Sequence, residues 1–178
     1  KDYLHFIMPR VRSGEKGAKK RYAGLFKIDG KEEIETVGIE SARTDWTEAA
    51  QIFQRELLDK IFHKKEIANF IKKFIKDVYE GKYNDKLVYK KQLRKGLEGY
   101  SVRTPHLKAA QKLKDFKGGI VEYYMTTDGP EPKQALKHKL DYEHYIDKQI
   151  KPIANQILSL FNKEFDNIIE ESKQTKLF

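Results

Sequence analysis

The chain has 178 residues, 39% of them hydrophobic and 35% charged, enough for one core beneath a heavily charged surface. A formal net charge of +9 and a pI near 9.4 favour polyanion partners, nucleic acid before anionic membrane. The absence of cysteine excludes disulfides and thiolate metal sites, and no apolar run approaches the ~18 residues that span a bilayer; a cytoplasmic location is compatible with both.

In chain order, "DYLHFIMP" alternates and stops at Pro9, which predicts a strand. A sequence that opens in mid-strand at Lys1 reads as part of a longer protein. The next stretch, "GEKGAKKRYAGLFKIDG", gathers Lys16, Lys19, Lys20 and Arg21 ahead of Tyr22 and then turns apolar at once. Taken alone it reads as a lysine-rich surface loop entering a strand. The sharper reading is a loop that sets cations and one aromatic ring against a phosphate backbone. "YAGLFKI" and "EIETVGIE" flank Asp29-Gly30, a hairpin-turn signal, so the opening predicts a small antiparallel sheet.

At "RTDWTEAAQIFQRELLDKIF" the period becomes helical: Ala49, Ile52, Phe53, Leu57 and Ile61 share a stripe, and Asp45, three residues before Glu48, is the expected cap. "KEIANFIKKFIKDVYEG" repeats the pattern through Ile67, Phe70, Ile71, Phe74, Ile75 and Val78, with Gly81 as its stop. "KLVYKKQLRKGLEGY" alternates as a strand, with Leu87, Tyr89 and Leu93 on one side and Lys90 and Arg94 on the other. A short helix starts at Pro105, and "GGIVEYYMTTDGPEP" reads as a strand ending in a Gly-Pro turn, with Asp128 a turn residue. A long amphipathic helix begins near Asp141, and Pro152 is expected to kink or split it.

Enzyme motifs are absent from the sequence: it has no phosphate-cradling glycine loop, no HExxH helix and no nucleophile elbow. His5, His63, His106, His138 and His144 are scattered, with no pair at ligand spacing on one helix face, and no carboxylate pair suggests a two-metal site. The binding signals are stronger. Lys16, Lys19, Lys20 and Arg21 form one cationic cluster; Lys90, Lys91, Arg94 and Lys95 form a second, followed by Arg103, Lys108, Lys112, Lys114 and Lys117. Tyr22, Tyr89 and Tyr100 interleave with them. A solvated charged face explains the second cluster equally well.

"KKRYAGL" (Lys19–Leu25), "RTDW" (Arg43–Trp46) and "DYEHYIDKQIKPIANQIL" (Asp141–Leu158), in this order, resemble successive signatures of family B DNA polymerases, most of all bacterial ones. "LVYKKQLRKGLEGY", "TTDGPEP" and the terminal "KLF" extend the resemblance over nearly the whole chain. It implies an α+β fold: a small antiparallel palm sheet followed by a mainly helical thumb with a few strands. The implied divisions are 1–43 for the end of the palm, 44–171 for the thumb and 172–178 for a flexible tail. By the same resemblance Lys20 reaches the minor groove of the newest base pairs and Tyr22 steadies the primer backbone. Minor-groove acceptors are similar for all base pairs, so a lysine there can sense pairing without reading sequence. Lys19 and Arg21 are implied as neighbouring phosphate or structural contacts; Lys90, Lys91, Arg94 and Lys95 are candidate duplex contacts from their charge clustering alone.

The resemblance implies a two-metal Mg2+ centre in the full-length enzyme, built on aspartates that include an Asp-Thr-Asp motif; that motif does not occur here. This stretch is therefore expected to hold no metal, to do no chemistry and to grip primer–template duplex in a bacterial, nucleoid-associated DNA-directed DNA polymerase. Gln174, Leu177 and Phe178 resemble the sliding-clamp motif, glutamine followed after two residues by Leu-Phe, although Thr175 stands where family motifs often have an aliphatic residue. The main alternative is a non-enzymatic double-stranded nucleic-acid binding module. That module explains the charge and the tyrosines but not the joint presence of "RTDW", "DYEHYIDKQIKP" and "QTKLF". A basic membrane-surface helix and an RNA partner explain less.

Overall fold

The computed structural model describes residues 2–9, 20–101 and 104–174, with side chains to residue 171. Lys16, Lys19, Arg103, Leu177 and Phe178 lie outside the described residues, as does the side chain of Gln174. Strands β1 (Tyr3–Ile7), β2 (Tyr22–Ile28) and β3 (Lys31–Val37) form an antiparallel sheet in that order. Asp29 and Gly30 both have positive φ, 50° and 77°, the requirement of a tight two-residue hairpin whose twist matches its strands. The register puts Ala23 and Leu25 of β2 on the face that enters the core and Tyr22, Gly24 and Phe26 on the other.

A 3-10 turn at Glu40–Ala42 leads to helix α1 (Glu48–Phe62). Its cap is Thr47, whose hydroxyl accepts from the Ala50 amide at 3.3 Å, and not Asp45. Asp45 instead receives both arms of the Arg43 guanidinium, at 2.9 and 2.5 Å. The planar fork matches a carboxylate better than one backbone amide does, and Thr47 is the residue that directly precedes the helix. Helix α2 (Ala68–Tyr79) buries Ile71, Phe74 and Val78 and stops ahead of Gly81, at φ 80°. These stripes join Ala23 and Leu25 from the sheet and Ile150, Ile153, Ile157 and Leu158 from the C-terminal helices in one core.

The second sheet is also antiparallel, in the order β4 (Tyr89–Leu93), β5 (Gly119–Thr126) and β6 (Gly129–Pro132). Helix α3 (Pro105–Gln111) packs Leu107, Ala109 and Ala110 against Leu93, Val121 and Tyr123. The predicted Gly-Pro turn is displaced by one step. Thr127 and Asp128 make the turn, with the Thr126 hydroxyl accepting from the Asp128 amide and donating to the Gly129 carbonyl, while Gly129 and Pro130 open β6. An edge strand tolerates a proline because no neighbour needs its missing N–H. β5 runs past the end of β4, and there the Met125 amide donates to the Tyr145 hydroxyl at 2.9 Å while its carbonyl accepts from Asp141 at 3.0 Å. Those two bonds tie the second sheet to the C-terminal helices.

Pro152 does not split the last helical stretch. Helix α4 (Tyr142–Tyr145) runs through a wider π turn at Ile146–Ile150 into α5 (Lys151–Leu158), and Lys151 donates to Ile146 five residues back. The π turn absorbs, one residue ahead, the hydrogen bond that proline cannot make. The break comes at Asn162, in the left-handed conformation at φ 55°, followed by α6 (Phe165–Gln174). Asn155 pins the new helix by accepting from the Phe165 amide at 2.9 Å. Two small antiparallel sheets joined by helices make this an α+β chain. No helix among the described residues is long and apolar enough to cross a membrane.

Candidate nucleic-acid interface

The basic run enters β2 through three residues with different surroundings. Lys20 is exposed, and its carbonyl packs so tightly on Gly38 that a Cβ there would lie 2.1 Å from the oxygen. Gly38 also has φ 63°, so both its conformation and its neighbour require glycine. Arg21 turns inward: its Nη2 donates to Glu40 at 2.6 Å and to Gln156 at 3.1 Å. Tyr22 lies on the outer sheet face among Tyr3 and Phe6, with ring centroids 6.2 and 5.1 Å away. Tyr3 and Tyr22 both donate to Glu35, at 2.5 and 3.4 Å, and the Glu35 bond comes first among the effects that hold the Tyr3 hydroxyl far above the ordinary tyrosine range. Tyr3 in turn covers Gly24, where any Cβ would strike its ring at 2.4 Å. The loop thus presents an exposed lysine beside an aromatic patch, on a backbone gripped from below.

The second cluster divides. Lys90 pairs across the strand with Glu122 at 3.3 Å, and Lys133 shares that carboxylate at 3.6 Å. For Lys91, Arg94 and Lys95, all exposed, no ion pair occurs among the described residues. Arg94 donates its amide to the Tyr100 hydroxyl at 3.0 Å, closing the loop after β4. Gly118, at φ 111°, lies against Leu93 and Lys95, where a Cβ would come within 3.4 and 3.5 Å of their backbones. This contact brings Lys117, next to Gly118, to the same end of the second sheet as Arg94 and Lys95. A mobile, uncompensated cation costs little to move onto a phosphate, whereas Lys90 must first give up Glu122.

Tyr89 does not belong to this surface. It stacks between Tyr123 and Tyr145, at 5.3 and 5.5 Å, and its hydroxyl meets His144 Nε2 at 3.0 Å. Burial holds the His144 pKa below its usual value, and His106, lowered by burial and then by the charge of Lys91, faces the Thr104 hydroxyl. Both are hydrogen-bonding groups.

Among the described residues, Asp128, Glu131 and His138 form the group whose ligand atoms converge within 4.8 Å. Glu131 is already engaged there: it accepts from the amides of Lys137 and His138, at 2.7 and 3.1 Å, and from the His138 ring. Burial raises its pKa, but these bonds outweigh burial and hold it at about 2. A histidine-containing staple of a hairpin loop does not fit a two-metal centre built on aspartates, and no metal-dependent step is assigned to it.

Sequence reading missed the polar residues that organise the site. Glu40 and Gln54 are buried, and Gln54 donates to Glu40 at 2.8 Å while accepting from the Ser41 amide at 2.6 Å. Gln149 accepts from both the amide and the hydroxyl of Thr47, at 3.1 and 2.8 Å. One signal was available: Gln54 follows Ala50 by four residues, on a face that is otherwise apolar.

Residues 17–161 match the family description DNA polymerase family B. DNA polymerase II of Escherichia coli is 35% identical over 94% of this chain and 23% of its own length. The DNA polymerase of Pyrococcus horikoshii is 33% identical over 89% of this chain and 14% of its own length. Bacterial and archaeal relatives therefore both match, although the sequence signatures pointed to bacterial ones. The family B DNA polymerase of Pyrobaculum calidifontis superposes with a TM-score of 0.68 at 29% identity, over 88% of this chain and 21% of that one. The chain spans about a quarter or less of the proteins it resembles.

Proposed function

The chain belongs to DNA polymerase family B, and we propose that it is the end of the palm followed by the thumb of a DNA-directed DNA polymerase, gripping primer–template duplex without doing chemistry itself. The observation that supports this most is a set of exposed cations with no ion pair among the described residues: Lys91 in the middle of β4, and Arg94 and Lys95 just beyond its end. In this reading they hold phosphates, Lys20 reaches the minor groove at the primer end, and Tyr22 steadies the backbone beside it. Lys19 would add a further contact. The Mg2+-binding aspartates belong to the rest of the polymerase, and a cytoplasmic, nucleoid-associated location follows from the substrate.

The full-length protein that contains this chain is expected to bind primer–template duplex without sequence preference. If about four to six phosphates are neutralised, log K against log salt has a slope of roughly −4 to −5. Fluorescence anisotropy across a salt series measures it, and a salt-independent affinity refutes the reading.

The tail is proposed as a sliding-clamp tether, with Gln174 at the pocket rim and Leu177 and Phe178 buried in the pocket. A short motif of this kind binds through few contacts, and the gain lies in effective concentration at the DNA. Changing Leu177 and Phe178 to alanine is expected to abolish clamp binding and to shorten processive synthesis, with the rate per nucleotide preserved. Clamp binding retained by that variant moves the contact elsewhere.

A further inference from the structure

We infer that Arg21 is a positioning residue: through Glu40 it locks the backbone between Lys20 and Tyr22 to the helical part of the chain, and it does not itself touch DNA. The inference rests on the proposed duplex-gripping role of Lys20 and Tyr22. Glu40 receives Arg21 and Gln156 on Oε1, at 2.6 and 3.2 Å, and Gln54 on Oε2 at 2.8 Å. Gln156 returns its own oxygen to Arg21 at 3.1 Å. The 3-10 turn, α1 and α5 therefore meet at one carboxylate, and the residue they hold in common lies between the two proposed primer contacts.

The backbone is constrained from the other side as well, because the Lys20 carbonyl abuts Gly38. Side-chain lock and backbone contact together leave the Lys20 side chain free while fixing its origin. A guanidinium free to reach phosphate has neither a buried carboxylate at 2.6 Å nor a side chain that is only 17% exposed. Movement of α5 would carry Gln156, then Glu40 and Arg21, and so the primer contacts. This couples the position of the helices to the alignment of the primer end.

The test uses the full-length protein with the variants Arg21→Gln, Glu40→Gln, their double, and Lys20→Ala. Each of the first three is expected to slow matched-primer extension roughly tenfold, the effect of one misplaced charge-assisted hydrogen bond. The slope of duplex affinity against salt is expected to stay at its parental value. Adding either Gln substitution to Lys20→Ala should slow extension by less than it does in the parent, since part of its effect passes through Lys20 and the rest through Tyr22. If Arg21→Gln does not fold, the double variant, which keeps a neutral hydrogen-bonded pair, and Glu40→Gln supply the same readouts. A slope shallower by about 0.9 in the double variant, with Glu40→Gln extending at the parental rate, overturns the inference and makes Arg21 a phosphate contact. Parental extension by Lys20→Ala overturns both the inference and the reading beneath it. Slow Lys20→Ala with parental Glu40→Gln overturns the inference alone.

Discussion

Alanine at Lys20 or at Tyr22 in the full-length protein is expected to slow extension of a matched primer by roughly ten- to a hundredfold, the cost of a charge-assisted hydrogen bond lost at the primer end. Lys20 is exposed, yet its backbone is fixed against Gly38, so only its side chain has to be ordered on contact with DNA. Tyr22 is held by Tyr3, Phe6 and Glu35, so its removal also loosens the outer face of the first sheet. The two variants should differ in a second measurement. Lys20→Ala leaves the thermal unfolding midpoint near its parental value, whereas Tyr22→Ala lowers it. Single-turnover extension under saturating nucleotide separates the effect on alignment from the effect on binding. Parental rates for both variants would remove the loop from the primer end.

Glu40→Ala is expected to destabilise the protein by about 3–5 kcal/mol, the cost of breaking a buried ion pair by removing one partner. Glu40 is 2% exposed, and its loss removes the acceptor shared by Arg21, Gln54 and Gln156, leaving the Arg21 charge with only the neutral Gln156 oxygen. The ordinary expectation for a surface carboxylate, within about half a kcal/mol, is far smaller, so urea unfolding discriminates clearly. Glu40→Gln keeps an acceptor and avoids the cavity but still leaves the Arg21 charge unpaired, so it should cost less than alanine and remain measurable. Equal stability of Glu40→Ala and the parent would mean that the network does not hold the loop to the helices.

Local pattern was legible wherever the cause is local. The strand β2, the Asp29-Gly30 hairpin and the stripes of α1 and α2 follow from alternation, a left-handed turn and a helical period, all contained within a dozen residues. The cap of α1 was misplaced because Asp45 and Thr47 both suit the role, and the decision depends on Arg43 claiming the carboxylate. The π turn before Pro152 leaves no mark in a hydrophobic pattern. Tyr89 looked like part of the cationic surface because the strand places a lysine beside it, but its stacking partners lie on β5 and α4. The Glu40 network was invisible for the same reason. Arg21 and Gln156 are separated by 135 positions, and only the fold brings them together. Lys20 and Tyr22 were legible as a motif, whereas the device that fixes them was not.

The central claim is that exposed cations at the end of the second sheet grip duplex phosphates, and its most direct test is the salt dependence of primer–template affinity in Arg94→Ala/Lys95→Ala against the parent. Each phosphate contact removed should make the slope of log K against log salt shallower by about 0.9, so the double variant should differ by about 1.8. The weakening should be the same for duplexes of unrelated sequence, because phosphates carry no sequence information. Identical slopes for variant and parent, measured over the same salt range on the same duplex, would contradict the account.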